Sequence, residues 1–256
     1  MKLLLLFLLL LPAVVKGGLI SRDANRWTSP CIYAALDDNI KARKAVFEQA
    51  FAEINERTNA CFFLVDDWRT IEDGENWILF QATTNTCSSF VGQVDSCAYQ
   101  VVKVAPGCRK TAIMHEMMHA LGIYHEQQRR DRDTYVSLYP ANSVLSSGQW
   151  SVNFDIMSDG IDHGPYDFES IMHYRTDAFA KSSNVVTIYP RDPQRNLALM
   201  NMNKSRLSAG DIAAINYVVK DKDGGEPSPA PRPTCTPQLP PVSNAGSSNT
   251  TTIVQF

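Results

Sequence analysis

The chain has 256 residues, of which 44% are hydrophobic and 20% charged, and carries a net charge of −3. That is apolar content enough to bury a core, and length for one large domain or two small ones. No long run of either sign occurs, so a nucleic-acid surface and a polybasic membrane patch are excluded and neither partner is expected.

Lys2 followed by the apolar run Leu3 to Leu11 reads as a secretory signal peptide over residues 1–17. Val15 and Gly17 occupy the positions that signal peptidase reads, with cleavage before Gly18. A membrane anchor needs about 20 apolar residues, and Pro12 and Lys16 end this run well short of that. The expected location is therefore extracellular. Secretion in turn favours disulfides among Cys31, Cys61, Cys87, Cys97, Cys108 and Cys235, an even set that sequence alone cannot pair. None is spaced Cys-x-x-Cys, so a cysteine-held zinc has no support. Asn203-Lys204-Ser205 and Asn249-Thr250-Thr251 match the N-glycosylation sequon.

Residues 18–26 form a short segment with no clear propeptide. From Asp38 to Asn59 the residues Ile40, Phe47, Phe51 and Ile54 recur at helical spacing between charged residues, which predicts an amphipathic helix. Short β-prone runs follow at Cys61 to Val65, Trp77 to Phe80 and Gln100 to Val104, with another helix near 112. Helix and strands together predict a mixed α/β lobe. Beyond 130 the patterning fades into Gly, Ser, Asn and Pro, until a short helix from Ala209 to Val219 whose Ser208 and Asp211 match a capping box. Residues 221–256, rich in Pro, Ser, Thr and Gly, predict a flexible tail.

The segment from Thr111 to Glu126 carries the chemistry. His115 and His119, four residues apart, share a helix face and can both address one metal ion, with Glu116 placed beside them as a base. A continued helix would carry His125 about 9 Å along the axis from His119. The chain must turn between them, and Gly122 is the residue able to adopt a positive φ there. Three of only five histidines fall in this pattern. One Zn2+ per chain is the implied cofactor. Downstream, Ser170-Ile171-Met172-His173-Tyr174 supplies a methionine that, with His-Glu-x-x-His-x-x-Gly-x-x-His, forms the metzincin signature. A closed structural zinc site would need a fourth strong ligand, for which His163 and His173 are the only spare histidines; His163 follows the run Asp159 to Asp162, read as a solvated loop.

His125-Glu126, then Arg129 and Asp131-Arg132-Asp133, then Ser170 to Tyr174 closely resemble the astacin family of zinc endopeptidases, from about Trp27 to Val219. The resemblance implies an α/β (α+β) fold of metzincin type: two lobes about a cleft, a mixed sheet with two long helices above, and an irregular lobe with a terminal helix below. Residues 27–220 would be the catalytic domain. It implies His115, His119 and His125 as zinc ligands, Glu116 as general base, Tyr174 as a displaceable ligand that stabilises the oxyanion, and Met172 as the floor beneath the metal. Glu126 would pair with the mature amino terminus, which signal peptidase itself would generate. Cys87–Cys108 and Cys61–Cys235 are the disulfides implied, leaving Cys31–Cys97 as the economical third. Protein or peptide substrates would add as a strand along Cys87, Ser88, Ser89 and Phe90, acted on by a monomer. The rival reading is a secreted binding protein on a catalytically silent protease fold.

Overall fold

The structure, a computed structural model, describes residues 17–71, 75–94, 99–219 and 253–255. Its upper half is a six-stranded mixed sheet covered on one face by two helices. In chain order the strands of the molecule are β1 (Leu19–Ser21), β2 (Cys31–Leu36), β3 (Cys61–Val65), β4 (Trp77–Ala82), β5 (Ser88–Phe90), β6 (Tyr99–Val104), β7 (Ile123–Tyr124), β8 (Val136–Leu138), β9 (Gly160–Asp162), β10 (Ile188–Pro190) and β11 (Ile253–Gln255). The helices are α1 (Lys44–Arg57), α2 (Lys110–Ala120), α3 (Ser147–Phe154), α4 (Pro193–Asn201) and α5 (Ala209–Val218).

The sheet runs β11-β5-β6-β4-β2-β3. Strands β3, β2, β4 and β6 are mutually parallel, whereas β5 and then β11 join antiparallel at one edge. Parallel strands are covered on their faces, and α1 provides the cover by burying Phe47, Ala50, Phe51 and Ile54. Phe47 meets Phe80 of β4 edge-on with ring centroids 5.1 Å apart. The opposite face packs Trp77 and Leu79 beneath Trp68, whose ring stacks on Trp77. The helix expected over Asp38–Asn59 is a 3-10 turn, Asp38–Arg43, followed by α1; the Thr58 hydroxyl then donates to the Ile54 carbonyl and closes the last turn.

The lower half has its own apolar cluster of Val136, Phe154, Tyr166, Phe168, Tyr174, Ile188 and Met200. Two helices interrupt its irregularity. Ser146 and Gln149 form a capping box that starts α3, and Asp192 with Pro193 opens α4. No helix among the described residues is long and apolar enough to cross a membrane.

Three sequence expectations are corrected. Cys31 and Cys61 are bonded to each other with Cα atoms 4.4 Å apart, in place of Cys61–Cys235 and Cys31–Cys97. The parallel register sets the two cysteines opposite one another at the starts of β2 and β3, a proximity that spacing along the chain conceals. Cys87 and Cys108 form the other described disulfide, tying the start of β5 to the loop before α2; Cys97 and Cys235 lie outside the described residues. Second, the run read as a solvated loop is strand β9, paired with β1. Third, residues 253–255 of the tail form a strand at the open sheet edge, where β-branched Ile253 and Val254 suit extended backbone.

Candidate metal centre

Three backbone devices bring the histidines together. On α2, His115 and His119 lie one turn apart and are fully buried. The helix ends at Gly122, whose φ is +96°. It is this left-handed conformation that calls for glycine; a Cβ there would also come within 2.5 Å of the Arg26 guanidinium, the movable end of a long side chain. The chain then reverses into β7, which β1 holds in place by pairing Ile20 with Ile123 and Leu19 with Tyr124. His125 follows directly and returns to the helix face.

The Nε2 atom of His125 lies 3.2 Å from the Nε2 atoms of both His115 and His119. Three nitrogens bound tetrahedrally to zinc at 2.0–2.1 Å would be about 3.3 Å apart. Each ring is oriented from behind. The Nδ1 atoms face the Ile171 carbonyl at 2.9 Å, the Ile123 carbonyl at 2.7 Å and the Gln128 amide oxygen at 3.2 Å. With Nδ1–H donating outward, the Nε2 lone pairs converge. Burial holds all three imidazoles below their usual range, His119 at about 4, so they are neutral ligands at pH 7. These three are the group of side chains among the described residues able to share a metal ion. His173 does not join them. Burial, and then the Lys204 charge, lower it to about 3, and it accepts from the Tyr166 hydroxyl and donates to the Tyr174 carbonyl. His163 packs on Tyr217 and faces the Gly17 carbonyl.

Glu116 is buried beside its histidine neighbours, and neither carboxylate oxygen has a hydrogen-bond partner among the described residues. Burial raises its pKa well above the carboxylate range. An orphaned buried carboxyl is costly in a folded chain, and its position beside three converging lone pairs is what a metal and its water would satisfy. The donor set thus fits zinc.

Tyr174 packs its ring on His125 at 4.4 Å, and its hydroxyl donates to Asn153 of α3 at 2.7 Å. Burial, and then the Glu116 charge, keep it a phenol. Met172 is buried in the main core; its carbonyl accepts the Glu126 N–H, locking the segment after the third histidine to the turn at 170–174. Glu126 is fully buried. One oxygen accepts from Arg129 and from the Asp167 N–H, while Oε2 has no partner among the described residues. Burial pushes it up to about 8, against the pull of the Arg129 charge.

Several contributors were invisible to sequence reasoning. Gln127 and Gln128 reach from the histidine segment to the Asn153, Val152 and Asp155 carbonyls, joining α3 to the site. Asp211 of α5 accepts from the Ser170 hydroxyl and the Ile171 N–H as well as from the Ser208 N–H of its own capping box. Only that capping box gave a signal. Lys204 donates to the Ser170 and His173 carbonyls at 2.8 Å. Burial lowers its pKa to about 8. A depressed lysine pKa means that the unfolded chain holds the extra proton between pH 8 and 10.5, so stability rises with pH across that window. The parent chain should therefore gain up to about 3 kcal/mol over Lys204→Met between pH 8 and 10.5 in urea titrations. A constant difference would place the ammonium in solvent.

Comparisons with known proteins agree with this geometry. The family model described as Astacin, a peptidase family, matches residues 19–220. The chain is 32% identical over 207 residues to the Bone morphogenetic protein 1 homolog of Strongylocentrotus purpuratus, covering 78% of this chain and 31% of that protein. It is 31% identical over 195 residues to Meprin A subunit alpha of Rattus norvegicus, covering 75% and 24%. The chain thus spans about a third or less of the length of these relatives. Among solved structures, High choriolytic enzyme 1, a hatching enzyme zinc-protease from Oryzias latipes, aligns with a TM-score of 0.61 at 27% identity, over 76% of this chain and 94% of that one. With the family pattern matched along most of its length and the three histidines gathered on α2 and the turn after it, this chain belongs to the astacin family.

Proposed function

We propose that the chain is a secreted zinc-dependent endopeptidase. The observation that carries this reading is the convergence of three neutral imidazole Nε2 atoms beside the orphaned carboxyl of Glu116. His115, His119 and His125 would hold the metal. Zinc, when bound, supplies a Lewis acid that acidifies water and polarises a peptide carbonyl. Glu116 takes the proton of the attacking water and returns it to the departing amine. Tyr174 leaves Asn153 and donates its phenol proton in a hydrogen bond to the developing oxyanion. An extended protein or peptide substrate adds along the edge strand β5, at Ser88, Ser89 and Phe90, beside Cys87.

Removal of residues 1–17 would free the Gly18 amine. Gly17 and Gly18 are buried, and Gly17 lies against Gly210, which touches Asp167, itself bonded to Glu126. The unpartnered Oε2 of Glu126 is the acceptor for that ammonium. Edman sequencing of the secreted chain should begin at Gly18; a start well inside the catalytic domain would refute this processing step.

The testing experiment is cleavage of a denatured protein before and after a zinc chelator, with zinc then restored. Activity should vanish with the chelator and return with the metal. A chain that binds zinc yet cleaves nothing would instead be the silent binding protein.

A further inference from the structure

The sheet edge that would receive substrate is already filled. Strand β11 lies antiparallel on β5, with Ile253 opposite Phe90, Val254 opposite Ser89 and Gln255 opposite Ser88. The same strand also approaches α3, the helix whose Asn153 holds the Tyr174 hydroxyl. Beyond β5, the Gly92 N–H donates to the carbonyl of His119, so this edge leads to one of the three histidines. β5 belongs to the upper sheet and α3 to the lower cluster. A segment touching both bridges the two halves between which the histidines sit. Its sequence suits that place: Val242 to Phe256 contains no charged side chain and no proline to oppose strand addition.

We infer that the segment around Ile253–Gln255 is an intramolecular competitor of substrate, an autoinhibitory strand that occupies the β5 edge. This rests on the reading of β5 as the substrate-binding edge. Main-chain pairing on an exposed strand is sequence-tolerant, so any extended peptide would contend for the same groups. A tethered segment is present at an effective concentration of about 1 mM, and a short strand with an affinity of about 0.1 mM would then raise the apparent KM about tenfold. Turnover of the bound substrate would be unchanged.

The test keeps the full chain and replaces Ile253→Pro and Val254→Pro together, which removes the strand's donor whichever residue faces β5. A fluorescein-labelled peptide of residues 250–256 serves as probe, with zinc content compared as the control for folding. The peptide should bind the double variant about tenfold more tightly than the parent. KM for a quenched peptide substrate should fall about tenfold at unchanged kcat. Equal peptide affinity in the two chains overturns the inference, as does an equal KM when both cleave. Relief of inhibition on simple dilution of the parent would place the strand in trans and equally overturn it. Selective peptide binding by a variant that cleaves nothing would leave the occupied edge standing and remove the peptidase reading instead.

Discussion

Glu116→Gln is expected to lower kcat/KM on a denatured protein about 10²- to 10⁴-fold, the usual contribution of a positioned general base. The substitution preserves shape and removes the group that accepts a proton. Because the amide matches the carboxyl in size and shape at this buried position, the folded chain should lose little stability. Zinc content and melting temperature should match the parent. That combination distinguishes a base from a structural residue. Activity within tenfold of the parent, with zinc bound, would assign the proton transfer elsewhere.

Asp211→Ala should produce a large loss of stability. The carboxylate of Asp211 receives the Ser170 hydroxyl at 2.6 Å and the Ile171 N–H at 3.0 Å in the interior, and the Ser208 N–H at 2.9 Å in a partly buried position. Removing the carboxylate strands these donors, and each buried donor left unsatisfied costs about 1–3 kcal/mol. The damage should spread to the metal centre, since Ile171 also orients His115 through its carbonyl. A fall in urea midpoint together with weaker zinc retention is therefore expected, with Asp211→Asn intermediate because one oxygen can still accept. Lost stability with zinc affinity untouched would show that the turn at 170–174 keeps its shape without α5.

What was legible in the sequence follows the range of each interaction. α1 announced itself because Phe47, Phe51 and Ile54 repeat one apolar face over several turns. His115, His119, Gly122 and His125 were legible because a metal site built on one helix and its terminal turn is local. β1 and β9 were not: strands of three residues carry no measurable alternation, and each exists only through pairing with distant chain. The disulfide between Cys31 and Cys61 was hidden for the same reason, being set by the register of β2 on β3. In the lower half the capping residues of α3 and α4 were present in the sequence, but Gly148 in one and a polar surface in the other masked any periodicity. Gln127, Gln128 and Lys204 gave no signal, because an amide or a lone cation shows its role only when the carbonyls it serves are in view.

The central position of β1 between β7 and β9 also governs when the site can exist during synthesis. Ile20 leaves the ribosome about a hundred residues ahead of Ile123, its neighbour in the finished sheet, and further still ahead of Ile161. At about 5–20 residues per second, that is a wait of at least about 5–20 s with Leu19 and Ile20, both fully buried at the end, still uncovered. His125 is set by the strand pairing that ends this wait, so the third imidazole joins the other two late. The nascent chain therefore passes almost half of its elongation before any of the three histidines is made, and the centre is not complete until the turn at 170–174, whose Ile171 carbonyl orients His115, has followed.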